Sequence, residues 1–453
     1  MAEYDKPLPI VDEGLGNSSY LVDLGDGRAL AVDPSRDPSP YLAAAERAAL
    51  QIGFAAETHL HADFVSGSSE LAALGAHVLA PAVGGLELPH KGLGDGDEID
   101  LGGLRLRALA TPGHTPEHVA YLLLDGDRPV ALFSGGSLLV GAVARTDLVA
   151  PDRTEELARS LWRSLHERIL TLPEDLPVYP THGAGSFCSA PAGSERTTTV
   201  GREKRTNPLL AAGDEDTFVT RLLAGLGSYP RYFLRLREVN RRGAPLYGPE
   251  PPALAPLSVT DVRRLLDSGA LLVDARPVRA FAAAHIASSL ANPLRPVFGT
   301  WLGWLISPDR PLVFVLDDDQ DRADLVRQAR NIGFEHLAGE LAGGIAAWQA
   351  AGLPTETIPL VEPARLDPAH TLDVRQDSEF AAGHIPGAAH VELGGLDGSA
   401  GDIPAGPLTV TCGHGERAMT AGSLLAADGR KDLSVLVGGP EDWAAAAGRA
   451  LQR

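Results

Sequence analysis

Thr58-His59-Leu60-His61-Ala62-Asp63-Phe64 decides how the amino-terminal half of this chain is read. Two imidazoles and a carboxylate fall between positions 59 and 63, a density that suits a loop folded around a divalent cation. The loop follows Gln51-Ile52-Gly53-Phe54-Ala55-Ala56, an apolar run that predicts the end of a buried strand. Further back, Ser19–Leu24 and Ala29–Asp33 flank Gly25-Asp26-Gly27 and predict a hairpin.

Three more segments follow in order. They are Ala110-Thr111-Pro112-Gly113-His114-Thr115-Pro116-Glu117-His118, Leu132-Phe133-Ser134-Gly135-Gly136-Ser137-Leu138 and Pro180-Thr181-His182-Gly183-Ala184-Gly185-Ser186. With the first cluster they resemble the metallo-β-lactamase superfamily and its H-x-H-x-D-H signature. Pro180–Cys188 and Thr198–Pro208 (T-T-V-G-R-E-K-R-T-N-P) resemble its persulfide dioxygenase branch, fusions to rhodanese domains included. The resemblance covers roughly the first 245 residues and implies an αββα sandwich.

It also implies ligand positions, two of which are substituted. Phe64 stands where the signature has a histidine, and a benzene ring offers a metal no lone pair. Gly136 stands where the family has a metal-binding aspartate. A dioxygenase iron site, two histidines and a carboxylate, would fall on His59, His114 and residue 136. The first zinc site of the hydrolases would fall on His59, His61 and His114, and the second on Asp63, residue 64 and His182, with residue 136 bridging. The resemblance therefore leaves one zinc on His59, His61 and His114 as the best surviving set, with Asp63 and His182 as weaker members. Zinc, iron and no bound metal all stay open. An aspartate restored at 136 is expected to increase iron binding.

At the other end, Leu408-Thr409-Val410-Thr411 predicts a short strand running into Cys412-Gly413-His414-Gly415-Glu416-Arg417 and a helix beyond. A cysteine between a strand end and a helix start sits in a nest of backbone N–H groups, and nest and helix dipole favour the thiolate. The segment resembles the C-x-x-x-x-R active loop of rhodaneses, which implies a sulfane sulfur carried on Cys412 and a loop-holding and anion-holding role for Arg417. Asp373-Val374-Arg375, Gly383-His384-Ile385-Pro386-Gly387-Ala388 and Gly438-Gly439 before Trp443 match further rhodanese segments. Asp373 and Arg375 are expected to pair in the core, and His384 to be structural.

An internal repeat adds a second copy. Asp274 and His285 have the spacing of Asp373 and His384, and Gly344 and Trp348 that of Gly439 and Trp443. In this earlier copy the strand Leu312-Val313-Phe314-Val315 leads into Leu316-Asp317-Asp318-Asp319-Gln320-Asp321-Arg322, so the nucleophile position holds Leu316 or Asp317. Four carboxylates there would also disfavour a thiolate. The copy is read as a non-catalytic spacer or docking element.

A chain of 453 residues fits three domains. The fold class is multidomain α/β: a metallo-β-lactamase-like domain at 1–245, then two rhodanese-like parallel α/β domains at 256–355 and 365–453. Proline-rich linkers are expected at Ala244–Pro256 and Gly352–Pro368. A net charge of −20 argues against nucleic acid and anionic membranes as partners. Two cysteines in so long a chain point to a reducing compartment, and with neither a signal-peptide pattern nor a membrane-length apolar run the expected location is cytoplasmic. Alanine-, arginine- and glycine-rich usage suggests a bacterium. Cys188 is read as a small buried hydrophobe, with a second sulfur carrier as the lesser alternative. The expected partners are low-molecular-weight thiols, persulfides or thiosulfate, and a homo-oligomer is expected. The expected activity is a rhodanese-type sulfurtransferase with an impaired or metal-poor amino-terminal domain. The alternatives are a zinc-dependent thioester hydrolase of the glyoxalase II kind and a non-enzymatic sulfur-sensing scaffold.

Overall fold

The computed structural model describes residues 6–188, 194–246, 248, 252–398, 401 and 403–453. Positions 247 and 249–251 of the first expected linker lie outside them. The chain divides into two compact units, Met1–Pro252 with Arg327–Gly333, and Ala253–Val326 with Phe334–Arg453.

In the first unit, two six-stranded sheets each keep their strands in chain order, from Leu8–Asp12 to Lys91–Leu93 and from Glu98–Asp100 to Thr198–Thr199. The strands Asn17–Asp23 and Arg28–Val32 pair antiparallel as the expected hairpin. The period of two along each strand builds the layers. On Val119–Asp125, Tyr121 and Leu123 join Tyr20, Val32, Phe54 and Phe133 between the sheets. The intervening Ala120, Leu122 and Leu124 face the helices Thr154–Glu167 and Glu215–Ala224 through Leu161, Leu165 and Phe218. On the other sheet, Ala29, Ala31 and Ala55 make room for Tyr41, Ala44 and Ala45 of the helix Ser39–Arg47. The result is a helix–sheet–sheet–helix sandwich, and its ligand-bearing loops follow the ends of strands.

The second unit holds two parallel five-stranded sheets of one topology. The first runs Pro256–Leu257, Leu337–Leu341, Leu312–Val315, Leu271–Asp274, Leu290–Ala291. The second runs Leu360–Val361, Leu433–Leu436, Leu408–Thr411, Thr371–Asp373, Ala389–His390. Leu360–Val361 is therefore a strand of the second sheet. The expected linker Gly352–Pro368 is interrupted by it, and the copy starts ahead of residue 365.

Equivalent residues do equivalent work. Arg276 holds Asp274 at 2.9 and 2.6 Å, as Arg375 holds Asp373 at 2.9 and 2.7 Å, and all four are buried. His285 stacks on Phe281 at 4.0 Å and His384 on Phe380 at 3.8 Å. These are structural contacts. Removing one partner of a buried pair strands the other charge, so Asp274→Ala is expected to destabilise this unit by about 3–5 kcal/mol. Denaturant unfolding followed by tryptophan fluorescence would measure it, and a loss within experimental error would show that Arg276 finds another acceptor.

Candidate functional site

The histidine cluster is assembled at strand ends. Asp33, ending the strand Arg28–Val32, takes a left-handed backbone (φ 48°) that aspartate tolerates better than most side chains. Its carboxylate accepts Thr58 N–H at 2.7 Å and Thr58 Oγ1–H at 2.8 Å, fixing the start of the 58–64 loop. Asn240 clamps the other end, donating to the carbonyls of His61 at 2.7 Å and Phe64 at 2.8 Å. Glu117 accepts Leu60 N–H and a two-pronged ion pair from Arg237 at 2.5 and 3.0 Å.

Side-chain partners fix the histidine tautomers. His59 Nδ1 lies 2.9 Å from Thr58 Oγ1, whose hydrogen goes to Asp33, so His59 donates from Nδ1. His114 Nδ1 donates to the Arg145 carbonyl at 2.7 Å. His182 Nδ1 faces the Asn17 amide oxygen at 3.2 Å and Asp63 at 3.1 Å. His59 and His114 are each left with an Nε2 lone pair, and His182 turns its own Nε2 toward that of His59. Their ligand atoms gather within 4.8 Å of one another, and the Nε2 atoms of His59 and His182 are 3.4 Å apart.

A proton on His182 or a metal cation between the two nitrogens accommodates that distance. Nitrogens ~2.0–2.1 Å from a tetrahedral zinc sit about 3.3 Å apart, so the spacing fits that ion. Burial, reinforced by the neighbouring imidazoles, pushes the His59 pKa well down and that of His114 to about 3. Both are therefore neutral imidazoles rather than imidazolium ions.

His61 is placed differently from the set expected on His59, His61 and His114. Its Nε2 lies 3.0 Å from Glu57 and 3.2 Å from Asp33, and its ring stacks on Phe64 at 4.2 Å. Burial alone would lower its pKa, but the two carboxylates outweigh burial and raise it to about 10. His61 is thus an imidazolium in an internal ion triad. Asp63 faces His182; burial would raise its carboxyl, and the His182 and His61 charges hold it below the ordinary range. Phe64 is buried against His61, where the family pattern would set a further ligand.

Gly136 also shows more than a missing carboxylate. A Cβ built there would lie 2.5 Å from His114 Cδ2 and 3.1 Å from Ala144 Cβ. The His114 ring fills the room an aspartate needs, so the expected gain of iron from Gly136→Asp does not fit this geometry. His118 is a further buried member, accepting Gly136 N–H on Nε2 at 3.0 Å and bonding Thr111 Oγ1 through Nδ1 at 2.8 Å. The His59, His114 and His182 group brings no carboxylate, whereas a second buried group, His61, Asp63 and His182, holds two histidines and one carboxylate.

In the second unit Cys412 is buried, 1% exposed, and Gly415 N–H donates to its Sγ at 3.1 Å. Gly415 is left-handed at φ 106° and caps the helix Glu416–Ala427. Gly439 passes so close beneath the loop that a Cβ on it would lie 2.3 Å from the Gly413 carbonyl oxygen. His414 is exposed, and Glu416 is half-buried at the first helical position. Arg417 lies behind the loop; both its terminal nitrogens donate to Glu379, at 2.6 and 2.7 Å, and its guanidinium lies 5.8 Å from the Trp301 ring centre.

The strand registers align the two copies. Asp274 pairs with Val315 as Asp373 pairs with Thr411, so Leu316 is the counterpart of Cys412 and Asp317 that of Gly413. Leu316 is buried, Gln320 accepts Asp317 N–H at 2.9 Å, and Arg322 donates to the carbonyls of Asp317 and Gln320 at 2.7 Å. That loop is closed on itself. A Leu316→Cys variant in a Cys412→Ser background is accordingly expected to show no sulfur transfer above that background, assayed as thiocyanate formed from thiosulfate and cyanide. Turnover within tenfold of the parent chain would mean the loop opens readily.

Sequence reasoning missed Asp33 and Glu57 as partners of His61, and Glu379 as the partner of Arg417. Asp33 and Glu57 carried one signal, each following directly on an apolar strand. Glu379 carried none.

Comparison with known proteins fits this geometry. Residues 12–182 match the metallo-beta-lactamase superfamily, and residues 258–351 and 360–446 each match the rhodanese-like domain. The mitochondrial persulfide dioxygenase ETHE1 of Homo sapiens is 32% identical over 202 residues, 44% of this chain and 73% of that protein. A hydroxyacylglutathione hydrolase of Rhodopseudomonas palustris is 31% identical over 249 residues, 49% of this chain and 93% of that protein. The crystal structure of a metallo-beta-lactamase from Staphylococcus aureus superposes with a TM-score of 0.65 at 31% identity, over 74% of this chain and 98% of that one. The chain belongs to the metallo-β-lactamase superfamily, and two rhodanese-like domains follow that fold.

Proposed function

We propose that this protein is an enzyme of persulfide and thiosulfate metabolism whose sulfur-transfer step takes place at Cys412. The observation that carries the reading is Cys412 Sγ at a strand end, receiving Gly415 N–H at 3.1 Å at the start of a helix. A backbone N–H at a helix start gives the sulfur a fixed hydrogen-bond donor, as in the active loop of rhodaneses. In the step, the Cys412 thiolate attacks the outer sulfur of thiosulfate or of a small persulfide. The donor's S–S bond breaks, sulfite or a thiolate leaves with the electron pair, and Cys412 holds a persulfide. A second small thiol or another nucleophile then takes the sulfur by the reverse chemistry. The similarity to a persulfide dioxygenase in the first unit supports the same class of substrate. The direct test is to incubate the protein with thiosulfate and map the gain of one sulfur atom by mass spectrometry. The gain is expected on the Cys412 peptide, and its absence there would reject the reading.

In the first unit, His59, His114 and His182 would hold a divalent ion, with zinc the best match to three imidazoles. Such an ion supplies a Lewis acid and a water acidified toward neutrality. Around it, this chain's residues hold the imidazoles in one tautomer through Thr58, the Arg145 carbonyl and Asn17, and keep the His61–Glu57–Asp33 triad alongside. The His59, His114 and His182 set lacks the carboxylate of a dioxygenase iron site, and the neighbouring group of His61, Asp63 and His182 would supply one only if His61 left Glu57 and Asp33. A second reading, thioester hydrolysis, is favoured by this cluster together with the similarity to hydroxyacylglutathione hydrolases. Release of glutathione from a hydroxyacylglutathione by the zinc-loaded protein, lost in His114→Ala, is the expected result of that reading.

A further inference from the structure

The cysteine-less copy does more than space the other domains. Its strand Leu290–Ala291 lies against the helix Glu416–Ala427, which begins at the Cys412 loop. Ala291 N–H donates to Ser423 Oγ of that helix at 3.0 Å. Trp301 lies under the Arg417 guanidinium and stacks on Trp304 at 5.1 Å. The Trp304 indole packs so tightly on Gly394 that a Cβ there would lie 1.7 Å from its Nε1. The loop between these contacts carries Arg295, which is half-buried and whose charged neighbours are Cys412, Glu416 and Arg417. The Arg417 charge is matched by Glu379 through two hydrogen bonds. Among the described residues Arg295 makes no such two-pronged carboxylate pair, Glu416 acting on it only as a neighbouring charge. Burial lowers its pKa, the mark of a cation poorly compensated by its surroundings, although guanidinium stays charged.

We propose that Arg295, supplied by the cysteine-less copy, binds the oxyanion end of the sulfur donor at Cys412, so that the catalytic pocket is completed by both rhodanese-like domains and is selective for a sulfonate-type donor such as thiosulfate. The proposal rests on the reading of Cys412 as the sulfur-carrying nucleophile. When the thiolate takes the outer sulfur of thiosulfate, the S–S bond breaks and sulfite departs with the electron pair. No oxidant or reductant is consumed. Arg295 is placed to hold the donor's dianion before this step and the sulfite after it. Planar guanidinium suits such oxygens through paired hydrogen bonds, and an ammonium serves as a point charge.

The test compares the full-length parent chain with Arg295→Gln, Arg295→Lys and Cys412→Ser, using thiosulfate and, separately, a persulfide donor without a sulfonate group. Loss of a charge-assisted contact is expected to raise KM for thiosulfate by roughly 10- to 100-fold in Arg295→Gln, with partial recovery in Arg295→Lys. KM for the sulfonate-free persulfide is expected to change less than threefold, which also shows that the variant is folded. Unchanged KM for thiosulfate in Arg295→Gln, with Cys412→Ser inactive, overturns the role of Arg295 and leaves the nucleophile standing. Equal losses with both donors overturn it as well, because a structural defect would act on both. Full activity in Cys412→Ser overturns the nucleophile itself and this proposal with it.

Discussion

Sulfur transfer from thiosulfate or a persulfide is expected to fall by on the order of 10³-fold or more when Cys412 is replaced by serine. A serine hydroxyl is not ionised at neutral pH and cannot store sulfur as a persulfide. Gly415 N–H would still point at the oxygen, so the loop should keep its shape and the loss should be chemical rather than structural. The control is Cys188→Ser. Cys188 is fully buried in the other unit, with its carbonyl accepting Arg145 N–H at 2.9 Å and its thiol beside Asp63 and Ser186, where burial raises its pKa. That variant is expected to keep transfer within about threefold, since a small isosteric change in a core position is mild. Equal loss in the two variants would reject the assignment of Cys412.

The second large effect concerns metal. As isolated from medium containing both ions, the protein is expected to hold zinc and to carry iron well below one per chain. His114→Ala is expected to remove the zinc. Deleting a direct ligand should exceed the ~10- to 100-fold cost in affinity that losing an outer partner carries. His61→Ala is expected to leave more zinc than His114→Ala does, since the His61 ring is committed to Glu57 and Asp33. Elemental analysis of the three proteins, each after exhaustive dialysis, separates these outcomes. Stoichiometric iron in the parent chain would mean that a carboxylate other than residue 136 has reached the cluster.

The order in which parts of this molecule could be read follows how local their causes are. The loop 58–64 was legible because its ligand-type residues are adjacent and follow an apolar strand. The two rhodanese copies were legible because repetition multiplies weak signals. The His59–His114–His182 set was not. His182 arrives from a segment 123 residues away, placed by pairing of Asn17 with His182, and nothing near position 61 announces that His61 turns to Asp33 and Glu57. The choice between Leu316 and Asp317 needed strand register, since an acidic run aligns equally well at either offset. Leu360–Val361 escaped as a strand because two residues show no periodicity. Arg295 belongs to no motif. Its meaning comes from what packs beside it in a neighbouring sheet.

The His114 ring over Gly136 has an evolutionary consequence. With a Cβ at 136 only 2.5 Å from the ring, and the ring tied to the Arg145 carbonyl, the two positions no longer vary independently. A single codon change back to aspartate meets a steric penalty before it can gain a ligand. A change at 114 alone discards an imidazole. An aspartate at 136 needs an adjustment at 114 made with it, so the two positions can change only as a pair.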